Sequence, residues 1–592
     1  MKDFVKIMLA VICAYIVIRI ISFILILSMF AGAIAGGSGA PIPKEGVLDL
    51  NMSEFVLAEQ SQEMSMPNFG MGGMTMPEAQ VGLLDAVSAI EAAAADPGVK
   101  YILLRPENAG MGMAHAEEFR AALQEFRRSG KPVIAWLESP ANLSYYMATV
   151  ADKIYMSSYH GFNYQLLGIS TQLMYVKDIL DKLGVNVQLI RHGKYKSAGE
   201  MYIRSNASEA NREQYQLLIN SAWAVYRGAI AASRDLDPDQ LDAWIDNLAF
   251  NLPEDFLEKG LVDELVDHEA LLGKLCTLAQ VENADQLKLI PFADYLEARV
   301  PMQLSARNQV AVLYADGEII DGDEYTEVAG DRFVKEIDKL RKDAHVKAVV
   351  LRVNSPGGSV SASEKIRTAL DLLQKEKPLV ASYANYAASG GYWISNGCQK
   401  IYSDAATITG SIGVFSMIPE FSQVTRKVGV GVEAISSHKH SDVFSLMRPF
   451  DKAEMDYMQA SVEDIYERFV QLVADSRGKA PEEVDALAQG RVWAGTDALE
   501  CGLVDEIGTL EDAISYAAAL AGFHASDEYA AIGYPKPLST WETIMQQIGS
   551  MREEPSILSG TPFEGLGWQL KTLKKGQPGV VYARLPYALE IR

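Results

Sequence analysis

The strongest constraint on this chain is an internal repeat. Residues 100–105 (KYILLR) match residues 347–352 (KAVVLR), and residues 260–264 (GLVDE) recur unchanged at residues 502–506. A repeat of this length predicts that two halves of the chain share one fold. Each half alternates short apolar runs with amphipathic segments, which is typical of the strand–helix–strand units of an α/β domain. We therefore expect tandem duplicated α/β domains.

The length of 592 residues agrees with this division, because a single hydrophobic core rarely extends beyond about 300 residues. The repeat also shows where the segments outside it lie. In chain order we expect a membrane anchor (1–36), a linker (37–46), a first α/β half (47–290), a joint (291–308), a second α/β half (309–526) and a C-terminal tail (527–592).

The N-terminal segment carries a localisation signal. Lys2 and Lys6 precede a long apolar run, residues 7–35, which Arg19 interrupts. A membrane-spanning helix needs about 20 apolar residues, and this run is longer. Lysines before the span favour a cytoplasmic N-terminus, so we expect a single-pass membrane protein with its bulk on the other side of the membrane. A cleaved signal peptide is the alternative.

Charge and cysteine content exclude some classes of function. The net charge of −24 argues against nucleic acid as a partner, because binding to phosphates needs a basic face. Cys13, Cys276, Cys398 and Cys501 lie far apart and lack the spacing of metal ligands. The chain also has no phosphate-binding loop. We expect neither a metal nor another cofactor.

Two segments of the second half place small residues directly after an apolar strand. Residues 347–353 indicate a buried strand, and residues 354–358 (NSPGG) break it; Ser361 and Glu364 follow at the spacing of a helix capping box. Residues 379–383 indicate a second strand, followed by Ala-Ser389-Gly-Gly and a helix starting near Tyr392. Such turns expose backbone amides and a hydroxyl, as acyl transfer requires. Ser389 is therefore a candidate nucleophile; the alternative is a helix-capping serine.

The repeat is most informative where it fails. The position matching Ser389 in the first half is Leu143, with Ser144 one place on, so that half has no equivalent nucleophile. Residues 191–198 (RHGKYKSA) align with residues 436–443 (SSHKHSDV), which puts Lys196 opposite Ser441. One half keeps a serine and the other keeps a lysine. Two such half-sites form one site if the halves face each other.

A nucleophilic serine needs a base, and His160, His192, His438 and His440 show no triad spacing. A lysine can take this role if it is neutral. Lowering its pKa from about 10.4 to near 7 costs about 4–5 kcal/mol, which burial between two domains can supply. Lys196 is therefore the candidate base, and the alternative is a solvated loop cation.

Four motifs together resemble the signal peptide peptidase A family, in its long, membrane-anchored bacterial form with two tandem domains. They are YKSA at 195–198, VNSPGGSV at 353–360, AASGGYW at 387–393 and TGSIGVF at 409–415. The resemblance implies a Clp-protease-like, crotonase-like fold in each half and a serine–lysine pair split between the halves. It implies Ser389 as nucleophile, Lys196 as general base, Gly358 and Gly390 as oxyanion amides, and Ser411 as the residue that orients the lysine.

The same resemblance implies a bowl-shaped homotetramer that faces the periplasm and cuts signal peptides left in the membrane, so apolar peptides are the expected substrates and membrane lipid a partner. One departure is Gly199, in YKSAGEMY, where the family pattern continues with Glu-Pro. Two other classes stay open at this point: a crotonase-type acyl-CoA enzyme and a non-catalytic membrane scaffold. Also open is whether the serine–lysine pair forms within one chain or between neighbours.

Overall fold

The computed structural model describes residues 42–61, 80–161, 163–300, 306–325, 327–536 and 581–585. Within those ranges, no helix combines the length and the apolar character needed to cross a membrane. The predicted anchor, residues 1–36, lies outside the described residues.

The strands are short in the first half and longer at the centre of the second. They are β1 Gly46–Asn51, β2 Val56–Ala58, β3 Gln80–Gly82, β4 Val99–Arg105, β5 Val133–Leu137, β6 Lys153–Ser157, β7 Asn186–Arg191, β8 Glu264–Val266, β9 Leu289–Pro291, β10 Gln309–Asp316, β11 Ile319–Ile320, β12 Val328–Ala329, β13 Val346–Ser355, β14 Gly357–Ser359, β15 Leu379–Ala388, β16 Ile401–Ser403, β17 Ile408–Gly410, β18 Phe415–Glu420, β19 Val492–Ala494, β20 Glu506–Ile507, β21 Ala530–Tyr534 and β22 Tyr582–Arg584.

The α-helices alternate with the strands in both halves. They are α1 Leu83–Ala95, α2 Met113–Arg128, α3 Asn142–Ala148, α4 Lys177–Leu183, α5 Glu200–Ile203, α6 Glu209–Arg234, α7 Pro238–Asp246, α8 Pro253–Glu258, α9 His268–Ala279, α10 Phe292–Arg299, α11 Gly330–Lys342, α12 Val360–Gln374, α13 Gly390–Ser395, α14 Ser422–Lys427, α15 Lys452–Arg477, α16 Pro481–Leu487, α17 Gly495–Glu500 and α18 Leu510–Leu520.

Two parallel sheets repeat one strand order. In the first half the order is β9-β1-β4-β5-β6-β8, and in the second the path β21-β10-β13-β15-β16-β20 follows the same connections. Each of these neighbouring pairs is parallel, which requires helical crossovers between the strands. The predicted mixed α/β class is confirmed. Residues 530–534, which the sequence places in the tail, form the edge strand β21.

A third sheet combines strands from distant parts of the chain, in the order β12-β11-β14-β22-β18-β7. Strand β7 of the first half pairs antiparallel with β18 of the second half, from Arg191 opposite Phe415 to Asn186 opposite Glu420. Backbone hydrogen bonds across this junction fix the position of the segment that follows β7, which contains Lys196.

The helix after β13 begins two residues earlier than the capping-box pattern predicts. Ser359, not Ser361, caps it: its hydroxyl accepts a hydrogen bond from the backbone amide of Ala362. Glu364 does not return to the helix start, because its carboxylate binds Arg367 and the indole N–H of Trp393. The backbone therefore turns into the helix immediately after the Gly-Gly pair.

A buried ionic cluster joins the two halves. Arg352, on β13, donates from Nε to Glu59 at 2.9 Å and from Nη2 to Glu118 at 2.5 Å, and all three residues are almost fully buried. Glu59 also binds His115 at 2.7 Å. Burial alone would raise the pKa of Glu59, but the charges of Arg352 and His115 outweigh it and hold this pKa at about 2. First-half acids are thus paired with a second-half cation in a buried interface.

Acidic side chains of helix α2 bind backbone amides of the second half across this interface. The Glu117 carboxylate accepts hydrogen bonds from the amides of Ala405 and Ala406 at 3.0 and 2.9 Å, and Glu118 accepts one from Leu510 at 2.6 Å. These contacts hold the first half against the turns of the second half, so the relative position of the two halves is fixed by hydrogen bonds as well as by packing.

Candidate active site

Ser389 lies at the turn between β15 and α13, in a conformation that few side chains adopt. Its φ is 54° and its ψ −110°, and a non-glycine residue at positive φ is strained. Its amide donates to the Gly410 carbonyl at 2.8 Å, and its carbonyl accepts from the Trp393 amide at 2.8 Å. These bonds hold the sharp turn, and the Ser389 hydroxyl points away from the helix it starts.

The two glycines after Ser389 are required by close backbone contacts. A methyl group at Gly390 would lie 2.8 Å from Ser363 Oγ, and one at Gly391 would lie 2.8 Å from the Ser355 carbonyl oxygen. Neither position has room for a side chain. The Ser-Gly-Gly sequence therefore reflects the tight packing of this turn against β13 and α12.

Lys196 reaches Ser389 from the other half of the chain. Its Nζ lies 2.8 Å from Ser389 Oγ, 3.0 Å from Ser411 Oγ and 3.2 Å from the Ser411 carbonyl oxygen. Lys196, Ser389 and Ser411 are all completely buried. The structure therefore brings together, within one chain, the three side chains that the sequence singled out.

Burial lowers the pKa of Lys196 well below its ordinary value. All three polar contacts of Nζ in the described structure are uncharged oxygens, so no carboxylate there favours the protonated form. A neutral amine can donate two hydrogens to the hydroxyl and carbonyl oxygens of Ser411. Its lone pair is then free to accept the proton of Ser389.

The backbone around Lys196 is held at both ends. The Tyr195 amide donates to the Gln489 carbonyl at 2.9 Å, and Arg191 Nη1 donates to the Lys196 carbonyl at 2.5 Å. Gly490 lies so close that a methyl group there would be 2.5 Å from Lys196 Cβ. The lysine is thus clamped between its own strand and a turn of the second half.

Gly199, the departure from the expected motif, starts a short helix. Its φ of 87° suits glycine, and α5 begins at the next residue. That residue, Glu200, is fully buried and lies 3.3 Å from Arg191, the same arginine that binds the Lys196 carbonyl. The residue that follows Gly199 therefore contacts the arginine that holds the Lys196 backbone.

Gly358 and Gly390, the predicted oxyanion glycines, lie next to each other. A methyl group at Gly390 would be 3.0 Å from the Gly358 nitrogen and 3.1 Å from the carbonyl oxygen of Ala583. Gly357, at φ 95°, provides the bend, and a methyl group there would be 2.6 Å from the Gly390 nitrogen. The backbone nitrogens of Gly358 and Gly390 thus lie close together at the turn that carries Ser389.

Sequence reasoning missed two parts of this site. Strand β22 enters it from the tail, and Gly358 on β14 pairs with Ala583 on β22; no motif marks residues 581–585, because they lie outside the repeat. The contact of Gly490 with Lys196 joins residues far apart in sequence. Ser441, aligned opposite Lys196 by the repeat, is exposed and accepts a hydrogen bond from the His438 amide.

Comparisons with known proteins agree with this geometry. The family model for peptidase family S49 matches the chain twice, at residues 125–282 and 371–524. Protease 4 of Haemophilus influenzae is 34% identical over 84% of this chain and 83% of its own. Protease 4 of Salmonella typhi is 37% identical over 82% of this chain and 80% of its own. A mutant of ClpP1 from Listeria monocytogenes, at 16% identity and a TM-score of 0.24 over 34% of this chain and 94% of its own, is too distant to support an argument about fold.

The α/β scaffold, its paired family matches and its relatives define a serine peptidase. The chain belongs to peptidase family S49. This confirms the predicted enzyme class and the resemblance to signal peptide peptidase A. An acyl-CoA enzyme and a non-catalytic scaffold are set aside.

Proposed function

We propose that this peptidase works with a serine–lysine pair divided between its two halves. Ser389 is the nucleophile, Lys196 the general base, and Ser411 the residue that orients the lysine. The amides of Gly358 and Gly390 stabilise the oxyanion. The observation that carries the proposal is the 2.8 Å contact between Lys196 Nζ and Ser389 Oγ in a fully buried site.

The reaction is acyl transfer to the serine followed by hydrolysis. Neutral Lys196 takes the hydroxyl proton as Ser389 Oγ attacks the peptide carbonyl carbon, and the negative charge forms on the oxygen beside the two glycine amides. Protonated Lys196 then gives its proton to the leaving amine as the C–N bond breaks. Water, deprotonated by the same lysine, hydrolyses the acyl-enzyme and restores Ser389.

We infer that the substrates are extended apolar peptides, including signal peptides after their release from precursors. The apolar residues around the site and the long apolar segment at residues 7–35 support this inference, since an anchored enzyme meets membrane-embedded peptides. On this proposal the enzyme is a single-pass protein of the inner membrane, active on its periplasmic side as a homotetramer. Each half has a Clp-like, crotonase-like fold, in line with the repeated parallel sheets.

The decisive experiment compares two buried serines at related positions of the repeat. Ser389→Ala should lower the kcat/KM for an apolar peptide by about 10⁴-fold or more, with an unchanged circular dichroism spectrum. Ser144→Ala, the matched control in the first half, should keep activity. Turnover retained by Ser389→Ala would reject the nucleophile assignment.

A mixing experiment tests whether the pair forms within one chain. Equal amounts of Ser389→Ala and Lys196→Ala proteins, unfolded and refolded together, should stay inactive if each site uses one chain. Recovery of activity would show that the serine and lysine come from neighbouring subunits. Light scattering of the detergent-solubilised enzyme checks the tetramer, and membrane fractionation with protease accessibility checks the location.

A further inference from the structure

The C-terminal strand β22 lies in the candidate site as an added peptide strand. Gly357, Gly358 and Ser359 of β14 pair antiparallel with Arg584, Ala583 and Tyr582, and on the other side Phe415 of β18 pairs with Tyr582. The Leu585 amide extends this ladder by donating to the Pro356 carbonyl at 2.8 Å. An extended peptide that adds a strand to a sheet is a common mode of peptide recognition. Residues 581–585 therefore show how a substrate backbone fits.

The register of this strand identifies which peptide bond faces the nucleophile. The Ala583 carbonyl oxygen lies close to this turn: methyl groups built at Gly357 and Gly390 would lie 2.1 and 3.1 Å from it, and Ala583 is the strand partner of Gly358. On the function proposed above, this is the position of the carbonyl under attack. The bond to be cut in a peptide bound this way corresponds to the bond between Ala583 and Arg584.

The side chains of the strand differ in their environment. Ala583 is fully buried, and Tyr582 packs on Phe415 with ring centroids 6.0 Å apart. Leu585 is buried in an apolar cluster with Leu218, Ala388, Ile408, Val492 and Ala494. Arg584 instead lies at the groove edge, with Nη1 3.3 Å from Glu318 Oε1. Arg584, which follows the bond corresponding to the cut bond, is thus the residue of this strand that contacts a carboxylate.

The surroundings of Glu318 favour a positively charged side chain at the position of Arg584. Its side chain is only 12% exposed, and its backbone amide donates to Glu327 Oε2 at 2.7 Å, which brings a second acid close by. Burial raises the pKa of Glu318 to about 7, and the charge of Arg584 opposes this rise. A basic residue beside it therefore relieves the cost of a buried carboxylate, whereas an acidic residue adds repulsion.

The geometry points to Glu318 as a specificity-determining residue that selects peptides with arginine or lysine immediately after the cut bond. The inference rests on the proposed roles of Ser389, Gly358 and Gly390. It concerns which peptides are cut and leaves the chemical step unchanged.

The test uses the full-length enzyme and three apolar peptides that differ only in the residue following a central alanine: Arg, Gln or Glu. The ratios of kcat/KM are measured in competition, so that the enzyme's own tail affects each peptide equally. The Arg peptide should exceed the Glu peptide by about tenfold or more. Mass spectrometry of the products should show cutting directly after the alanine.

Three variants decide the role of Glu318. Glu318→Gln should bring the Arg-to-Gln ratio close to one while the Gln peptide is cut as before, and Glu318→Lys should favour the Glu peptide. Asp323→Asn, which removes an exposed acid five residues further along the chain, should leave every ratio as in the wild type.

Two outcomes overturn the inference: an Arg preference that persists in Glu318→Gln, or an equal loss for all three peptides, which would mean that Glu318 supports the fold. Failure of the proposed catalytic function is visible separately, as peptide turnover by Ser389→Ala.

Discussion

Two turns at related positions of the repeat place a serine differently. In the first half, Ser144 lies inside the first turn of α3, and its hydroxyl accepts the Ala141 amide at 2.8 Å as a helix cap. In the second half, Ser389 stands before its helix at φ 54°, and its hydroxyl meets Lys196. Ser144 lies one position further along the repeat than Ser389, and only Ser389 is followed by a pair of glycines. These two differences decide whether the buried serine caps a helix or faces the proposed base.

The matching arginines of strands β4 and β13 differ as much. Arg105 on β4 pairs with Asp49 at 2.5 Å and is 36% exposed. Its counterpart Arg352 on β13 is fully buried between two glutamates of the first half. The same residue at the same place in the repeat is a surface ion pair in one copy and the centre of the interface in the other. Equivalent positions of the two halves thus have different surroundings where one half covers the other.

The largest effect is expected for the lysine. Lys196→Ala removes the proposed base, and the kcat/KM for an apolar peptide should fall by about 10³–10⁴-fold. Lys194→Ala, an exposed lysine two residues away, should behave like the wild type. Steady-state kinetics at neutral pH measure both. Equal activities of the two variants would place the base elsewhere.

A smaller loss is expected where the second half needs a glycine and the first half carries Ser144. Gly390→Ala places a methyl group 2.8 Å from Ser363 Oγ and 3.0 Å from the Gly358 nitrogen. Because this change displaces a proposed oxyanion amide, kcat should fall by about 10²-fold with a small change in KM. A mainly raised KM would indicate that this turn binds the ground state instead.

Substitutions of the two matching arginines compare the stability contributed by the buried interface with that of a surface ion pair. Arg352→Leu leaves Glu59 and Glu118 buried without their cation and should lower the free energy of unfolding by about 3–5 kcal/mol. Arg105→Leu should cost about 1 kcal/mol or less, since its ion pair is partly exposed. Urea denaturation followed by tryptophan fluorescence compares them, and similar costs would mean that the interface cluster adds little.

The smallest effect is expected for the dependence of activity on pH. Only neutral Lys196 can accept a proton, and burial lowers its pKa, so kcat/KM should rise with pH, at most about tenfold per unit, and level off above that pKa. The expected loss is therefore on the acid side. His192→Phe should leave the profile unchanged; a shifted profile would assign the titration to histidine.

The sequence predicted much of this site because divergence between the copies was complementary. Ser389 lacked an equivalent in the first half and Lys196 lacked one in the second, so each pointed to the other. Contacts that depend on long-range packing could not be predicted from the differences between the copies. Strand β22 has no counterpart in the repeat, and Ser359 capped a helix for which Ser361 and Glu364 matched the local pattern equally well.

The separation of 193 positions between Lys196 and Ser389 in the sequence has a consequence for biosynthesis. Domains of a long chain form in the order in which they leave the ribosome. On the proposed assignment, a nascent chain carries its base long before its nucleophile and cuts nothing until the later domain has docked against the earlier one. A translation product that stops short is harmless to its neighbours, and the enzyme switches on only as its own synthesis finishes.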